Sequence, residues 1–175
     1  MNLEEFENLF YEAFQREDVD ALVEIINETS QIIGPAHTRG AINTDFLEIR
    51  TSDLSCLACM KAGLKNVSLL IGNGDIYTQI AGAMGWKFHK LRCDSISFTS
   101  PYFDGIMYTT KGRKNAVMLS EFIEINPVEN NTYHQILGRC LGYPQADIDF
   151  FCNNGTRIFM QKNATGELIN VSYNN

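Results

Sequence analysis

Phe46-Leu-Glu-Ile-Arg50, Val67-Ser-Leu-Leu-Ile-Gly72 and Lys87-Phe-His-Lys-Leu-Arg92 are three short runs of strand character, separated by two stretches that read as helices. The first helix opens at Thr51-Ser52-Asp53-Leu54-Ser55, a polar start suited to capping, and runs to Gly63. The second follows the tight Gly72-Asn73-Gly74-Asp75 turn and runs to Met84, with Asp75 as its expected cap. Strands alternating with helices of roughly ten residues are the signature of βαβ units. The expectation is an α/β fold: a mixed sheet with a parallel βαβαβ core over residues 46–92.

Working outward, Phe6, Leu9, Phe10, Ala13 and Phe14 recur at helical spacing between Leu3 and Arg16, after an acidic first turn. A second helix from Ala21 to about Ile33 should stop at Gly34-Pro35, giving an N-terminal helical hairpin packed on the sheet. Downstream of the core, Ser95–Thr99, Ile106–Thr110 and Ala116–Ile125 read as extended. Lys111-Gly-Arg113-Lys-Asn115 would be a basic hairpin tip between the last two. Helices are expected over Thr132–Leu141 and Gln145–Cys152, then a second hairpin from Arg157–Gln161 and Leu168–Tyr173. One domain accommodates all of this: the helical hairpin at 1–35, the α/β core at 36–125, and C-terminal helices and hairpin at 126–175.

The 175 residues are 45% hydrophobic and 11% aromatic, enough for a sizeable core rather than a disordered chain. The net charge of −7 argues against unaided binding along a nucleic-acid backbone, which needs clustered Lys and Arg. No apolar run is long enough for a membrane span, and the acidic start Met1-Asn-Leu-Glu-Glu-Phe6 does not resemble a secretory signal. Five cysteines fit a reduced, cytoplasmic protein with buried thiols.

Ligands of open α/β sheets sit beyond the strands' carboxyl ends. That places a candidate pocket at Thr51, Ser52, Gly72, Asn73, Gly74, Asp75 and Asp94, with Arg39 and Arg113 to balance ligand charge. Bare N–H groups at Gly72–Gly74 suit an anion at a helix start, whereas Asp75 suits a ribose hydroxyl or an amine. His37 and His89 are the candidates for proton transfer, because histidine titrates near neutral pH. The sequence identifies no cofactor and no metal site. Cys56-Leu-Ala-Cys59 lies inside a predicted helix and lacks the second ligand pair of a zinc site, so it reads as buried packing. His134 and Arg139 stand about one helical turn apart and could share an anion. Asp104 with Glu121 and Glu124 raises a metal-dependent nuclease, but without the expected lysine. These observations point to a protein that binds, or binds and turns over, a small polar or anionic ligand such as a nucleotide. The alternative of another class is a non-enzymatic acidic module whose Phe-rich first helix captures a protein partner.

Leu137-Gly-Arg-Cys-Leu-Gly-Tyr-Pro144, continuing to Ile148-Asp-Phe-Phe151, resembles a motif of poorly characterised prokaryotic proteins that read Leu-Gly-Tyr-Pro-x-Cys-Cys. Ala146 and Asp147 replace the two cysteines here. The resemblance therefore implies a local structure, a helix stopped at Gly142–Pro144 and a second helix packing Phe150 and Phe151, and no activity.

Overall fold

Asn2 begins the first helix with a reciprocal cap: its side chain accepts from the Glu5 N–H, and the Glu5 carboxylate accepts from the Asn2 N–H. The computed structural model describes residues 1–37, 52–91, 104–125, 130–153, 156–162 and 168–174. Helix α1 (Leu3–Gln15) buries Phe6, Phe10 and Ala13 against α2 (Val19–His37), which presents Leu22, Ile26, Thr29 and Ile33. The helical hairpin is thus as expected, except that α2 continues through Gly34-Pro35. A proline near a helix end forfeits one intrahelical bond, and α2 is held by several turns of packed face before reaching it.

Ser52 caps α3 (Asp53–Lys61), accepting from the Ser55 N–H at 3.1 Å. Strand β1 (Val67–Leu70), helix α4 (Gly74–Met84) and strand β2 (Lys87–Lys90) follow. Their order matches the sequence reading, but the cap of α4 is Asn73, whose side chain accepts from the Asp75 N–H; Asp75 lies in the first turn. The strand expected at 46–50 and that at 95–99 lie outside the described residues.

Strand β3 (Gly105–Tyr108) decides the sheet. It lies between β1 and β2 and pairs antiparallel with both, Leu69 and His89 each opposite Ile106. The parallel neighbours anticipated for this region are therefore separated: β1 and β2 run the same way, but only because each opposes β3. Burial suits β2 to an edge. Gly105-Ile-Met107 is wholly buried, as a central strand must be, while β2 exposes Lys87, His89 and Lys90, charges that suit an edge.

A core lies on each side of this sheet. Leu70 and Met107 face α1, α2, α3 and α4, contacting Phe10, Leu22, Leu57, Ile80 and their neighbours. Val67, Leu69 and Ile106 face the other way, towards Ala116, Leu119, Ile123, Cys140 and Leu141. Alternation along a strand produces this split. The result is a mixed helix and strand domain with helices on both faces of a small antiparallel sheet.

The second core corrects the reading of residues 110–125. They are not a basic hairpin but a 3-10 turn (Thr110–Gly112) leading into α5 (Arg113–Ile125). Gly112, Ala116, Leu119 and Ile123 recur every three or four residues, and these are the positions that are buried. Helices α6 (Asn131–Cys140) and α7 (Gln145–Cys152) match expectation, with Gly142 at φ 79° and Pro144 between them and Phe151 against His134. Strands β4 (Thr156–Lys162) and β5 (Leu168–Asn174) form the terminal antiparallel hairpin.

Candidate functional site

Asp53 occupies the first turn of α3, where a carboxylate would normally face solvent and interact with the helix dipole. Here it turns toward the end of β1. Its Oδ2 accepts from the Ile71 N–H at 3.0 Å and, through a short hydrogen bond, from the Tyr77 hydroxyl. Asp104, just before β3, accepts from the next amide, Gly72 N–H, at 2.7 Å. Two carboxylates from distant parts of the chain thus satisfy consecutive amides where β1 ends. Gly72 permits the turn: its φ is 134°, and a Cβ there would stand 3.2 Å from the Phe14 ring.

Tyr77 is 1% exposed and lies in a line of rings, with centroids 5.3 Å from Phe14 and 5.6 Å from Phe88. A buried tyrosine needs a partner for its hydroxyl. Its oxygen lies near two, the Asp53 carboxylate and, at 3.1 Å, the Ile71 carbonyl. With Asp53 ionised, Tyr77 donates to it. With Asp53 protonated, the acid can donate to the phenol oxygen, freeing the Tyr77 proton for the carbonyl. Both charge states are hydrogen-bonded.

Burial raises the Asp53 carboxyl to about 6, from an ordinary 3.8. The hydrogen bonds from Tyr77 and Ile71 pull downward, and the charge of Asp104 adds a smaller push upward. Tyr77 is itself held far above the ordinary phenol range, by burial first and the Asp53 charge second. Because folded Asp53 holds its proton more tightly than the unfolded chain does, its contribution favours folding below pH 3.8 and is lost as pH rises to about 6. The loss is on the order of 2–3 kcal/mol. Asp53→Asn keeps an acceptor but cannot ionise. Urea denaturation across pH 4–7 should therefore show the Asn variant gaining on the wild type as pH rises through this window.

Above this pair opens a cleft of about 370 Å³, lined by Glu7, Phe10, Tyr11 and Phe14 of α1, by Ser52, Asp53 and Leu54, and by Ile71, Gly72 and Tyr77. Its volume is in the range of small-molecule sites, roughly 300–1,000 Å³. Aromatic and aliphatic side chains make the walls. Glu7 and Asp53 are its acidic lining residues.

Of the residues anticipated from sequence, Ser52 and Gly72 line this cleft. Asn73, Gly74 and Asp75 continue from it into the exposed cap of α4 rather than into its lining. His89 is on the edge strand, 3.7 Å from Glu124, and Arg113 is exposed at the start of α5; neither lines the cleft. Arg39, Thr51, Asp94 and the His37 side chain lie outside the described residues. Cys56 and Cys59 are buried in α3. His134 turns inward, edge-on to Tyr133 and Phe151, while Arg139 is exposed and bonds Gln145, so the two do not share an anion site. Glu121 and Glu124 are exposed on a helix, not a strand. Among the described residues no three His, Cys, Asp or Glu side chains gather as metal ligands.

Sequence reading missed Asp53 and Tyr77 as partners because 24 residues separate them. One clue was available: Tyr77 sits among Ile76, Ile80 and Ala81, on a helix face whose only hydroxyl had to find an acceptor.

Among the described residues no helix is long and apolar enough to cross a membrane. Comparison with protein-family models, with curated proteins and with solved structures finds no match for this chain.

Proposed function

We propose that the protein binds a small ligand with an aromatic or apolar body and a protonated amine, seated in the α1–α3–α4 cleft with its cation on Asp53. The observation that carries this reading is the chemistry of the cleft: rings of Phe10, Tyr11, Phe14 and Tyr77 around a partly buried carboxylate, with a second carboxylate on Glu7. Rings favour an apolar body and, through their faces, a cation. Asp53, Asp104 and Glu7 disfavour a phosphate at the same place, so the small polar ligand expected from sequence takes the opposite charge. Binding of a cation would also release the proton that burial keeps on Asp53 near pH 6. If the ligand is turned over, Asp53 has the proton affinity required of a general base, a role the sequence suggested for histidine. Cys56, Cys59, Cys140 and Cys152 are all buried, which suits the reduced, cytoplasmic protein expected from the sequence.

A charge series on one scaffold tests the reading: phenethylammonium, phenethyl alcohol and phenylacetate, followed by thermal shift at about pH 7.5. At a hundred times its dissociation constant a ligand adds roughly 2.7 kcal/mol, a shift of several degrees. The cation alone should produce that shift, and Asp53→Asn should abolish it. A response to phenylacetate or to nucleotides instead would overturn the assignment.

A second reading rests on α1, which leaves Leu9 40% and Tyr11 65% exposed beside the cleft. Such a surface supports capture of an amphipathic partner segment, and a flat response to the whole series would favour it.

A further inference from the structure

We propose that Cys56 and Lys65 form an oxidation-responsive covalent pair, in which one oxygen atom comes to bridge the thiol sulfur and the lysine nitrogen. Cys56, on α3, is 6% exposed; Lys65, in the turn between α3 and β1, is 4% exposed. Lysine is rarely buried to this degree, since its stem normally lets the amine reach water. Here the stem runs inward. The Lys65 Nζ lies 3.9 Å from Cys56 Sγ, and Tyr143 holds it from elsewhere in the fold. The Tyr143 hydroxyl is 3.5 Å from Nζ and its ring centroid 4.8 Å. The amine is thus held at the thiol within a packed interior, on a side chain whose terminal torsions can shorten the remaining gap.

The oxidant is dioxygen. In its deprotonated form the amine gives up one hydrogen, and the thiol gives up its only one. One oxygen atom of dioxygen becomes the N–O–S bridge, and the other leaves as water with those two hydrogens. Nitrogen and sulfur are oxidised, dioxygen is reduced, and no other reactant is needed. Excess dithiol reverses the reaction: two dithiols give up four protons and four electrons and become disulfides, the amine and the thiol are restored, and the bridging oxygen leaves as water. The pair lies one helical turn along α3 from Asp53, but the reaction does not depend on the cleft's binding a ligand.

The test uses the full chain, reduced, freed of reductant and divided between aerated and anaerobic buffer, with intact-mass and peptide-level mass spectrometry. In air a species should accumulate that has gained one oxygen and lost two hydrogens. The peptides carrying Cys56 and Lys65 should be joined in it, and dithiothreitol should remove it. Lys65→Arg, which keeps the charge and the long stem, should not form it. Because the decisive mass and cross-link are read on the wild-type chain, the result does not depend on the variant folding. A Cys56–Cys59 disulfide, simple sulfur oxidation without a cross-link, or a thiol unchanged after prolonged aeration would each overturn the proposal.

Discussion

Tyr77→Phe is expected to cost about 2–3 kcal/mol of stability at pH 7.5 but only about 1 kcal/mol at pH 4. The substitution leaves the ring in place between Phe14 and Phe88 and removes only the hydroxyl. At the higher pH that hydroxyl donates to an ionised, partly buried carboxylate, and hydrogen bonds to charged groups are the more valuable kind. At the lower pH Asp53 carries its proton, and the bond lost is between neutral groups. The hydroxyl also lowers the Asp53 pKa, so its removal should move the carboxyl above the value of about 6 it has in the intact protein. Urea denaturation of both proteins at the two pH values measures this directly. A loss of the same size at both would mean that Tyr77 contributes through packing alone.

Gly112→Ala, at the end of the 3-10 turn beside β1, should be strongly damaging, at roughly 3 kcal/mol or more. A Cβ there would lie 2.2 Å from the carbonyl oxygen of Asn66 and 2.8 Å from a Val67 methyl. The obstruction is backbone, and that backbone is pinned: Asn66 O accepts from Thr109 N–H at 2.9 Å, and its side chain accepts from the Thr109 hydroxyl at 2.8 Å. Neither side of the contact can retreat without loosening the junction that brings β3 and α5 onto β1. Gly82→Ala provides the opposite case. Gly82 lies inside α4 with nothing within 4 Å of its missing Cβ, so alanine should add about 0.5–1 kcal/mol. Paired denaturation curves should move in opposite directions.

The sequence was most legible where local periodicity and capping act on neighbouring residues. The helices α1, α3, α4, α6 and α7, and the strand–helix–strand order of β1, α4 and β2, follow from apolar spacing and polar starts. Pairing partners are not local. Nothing in Gly105-Ile-Met-Tyr108 states that this run enters between β1 and β2; that is decided by pairing across the fold. Residues 116–125 were read as extended because short apolar runs suit either state, and packing onto the second core selected the helix. Pro35 was read as a stop, though a single lost bond is tolerated near a helix end. The site was half visible. Ser52 and Gly72 follow from the rule that ligands gather where strands end, but its chemistry depends on Asp53 meeting Tyr77 and on α1 supplying a wall.

The proposed function makes Asp53 a proton-poised carboxylate that lines the cleft and takes the ligand's cation. The most direct measurement follows its side-chain carboxyl carbon by NMR through a pH titration, with and without saturating phenethylammonium. The midpoint should be about 6 in the free protein and move down when the cation is present, because a neighbouring positive charge stabilises the ionised form. A midpoint near the ordinary 3.8 in the free protein, or one that the amine leaves in place, would contradict it.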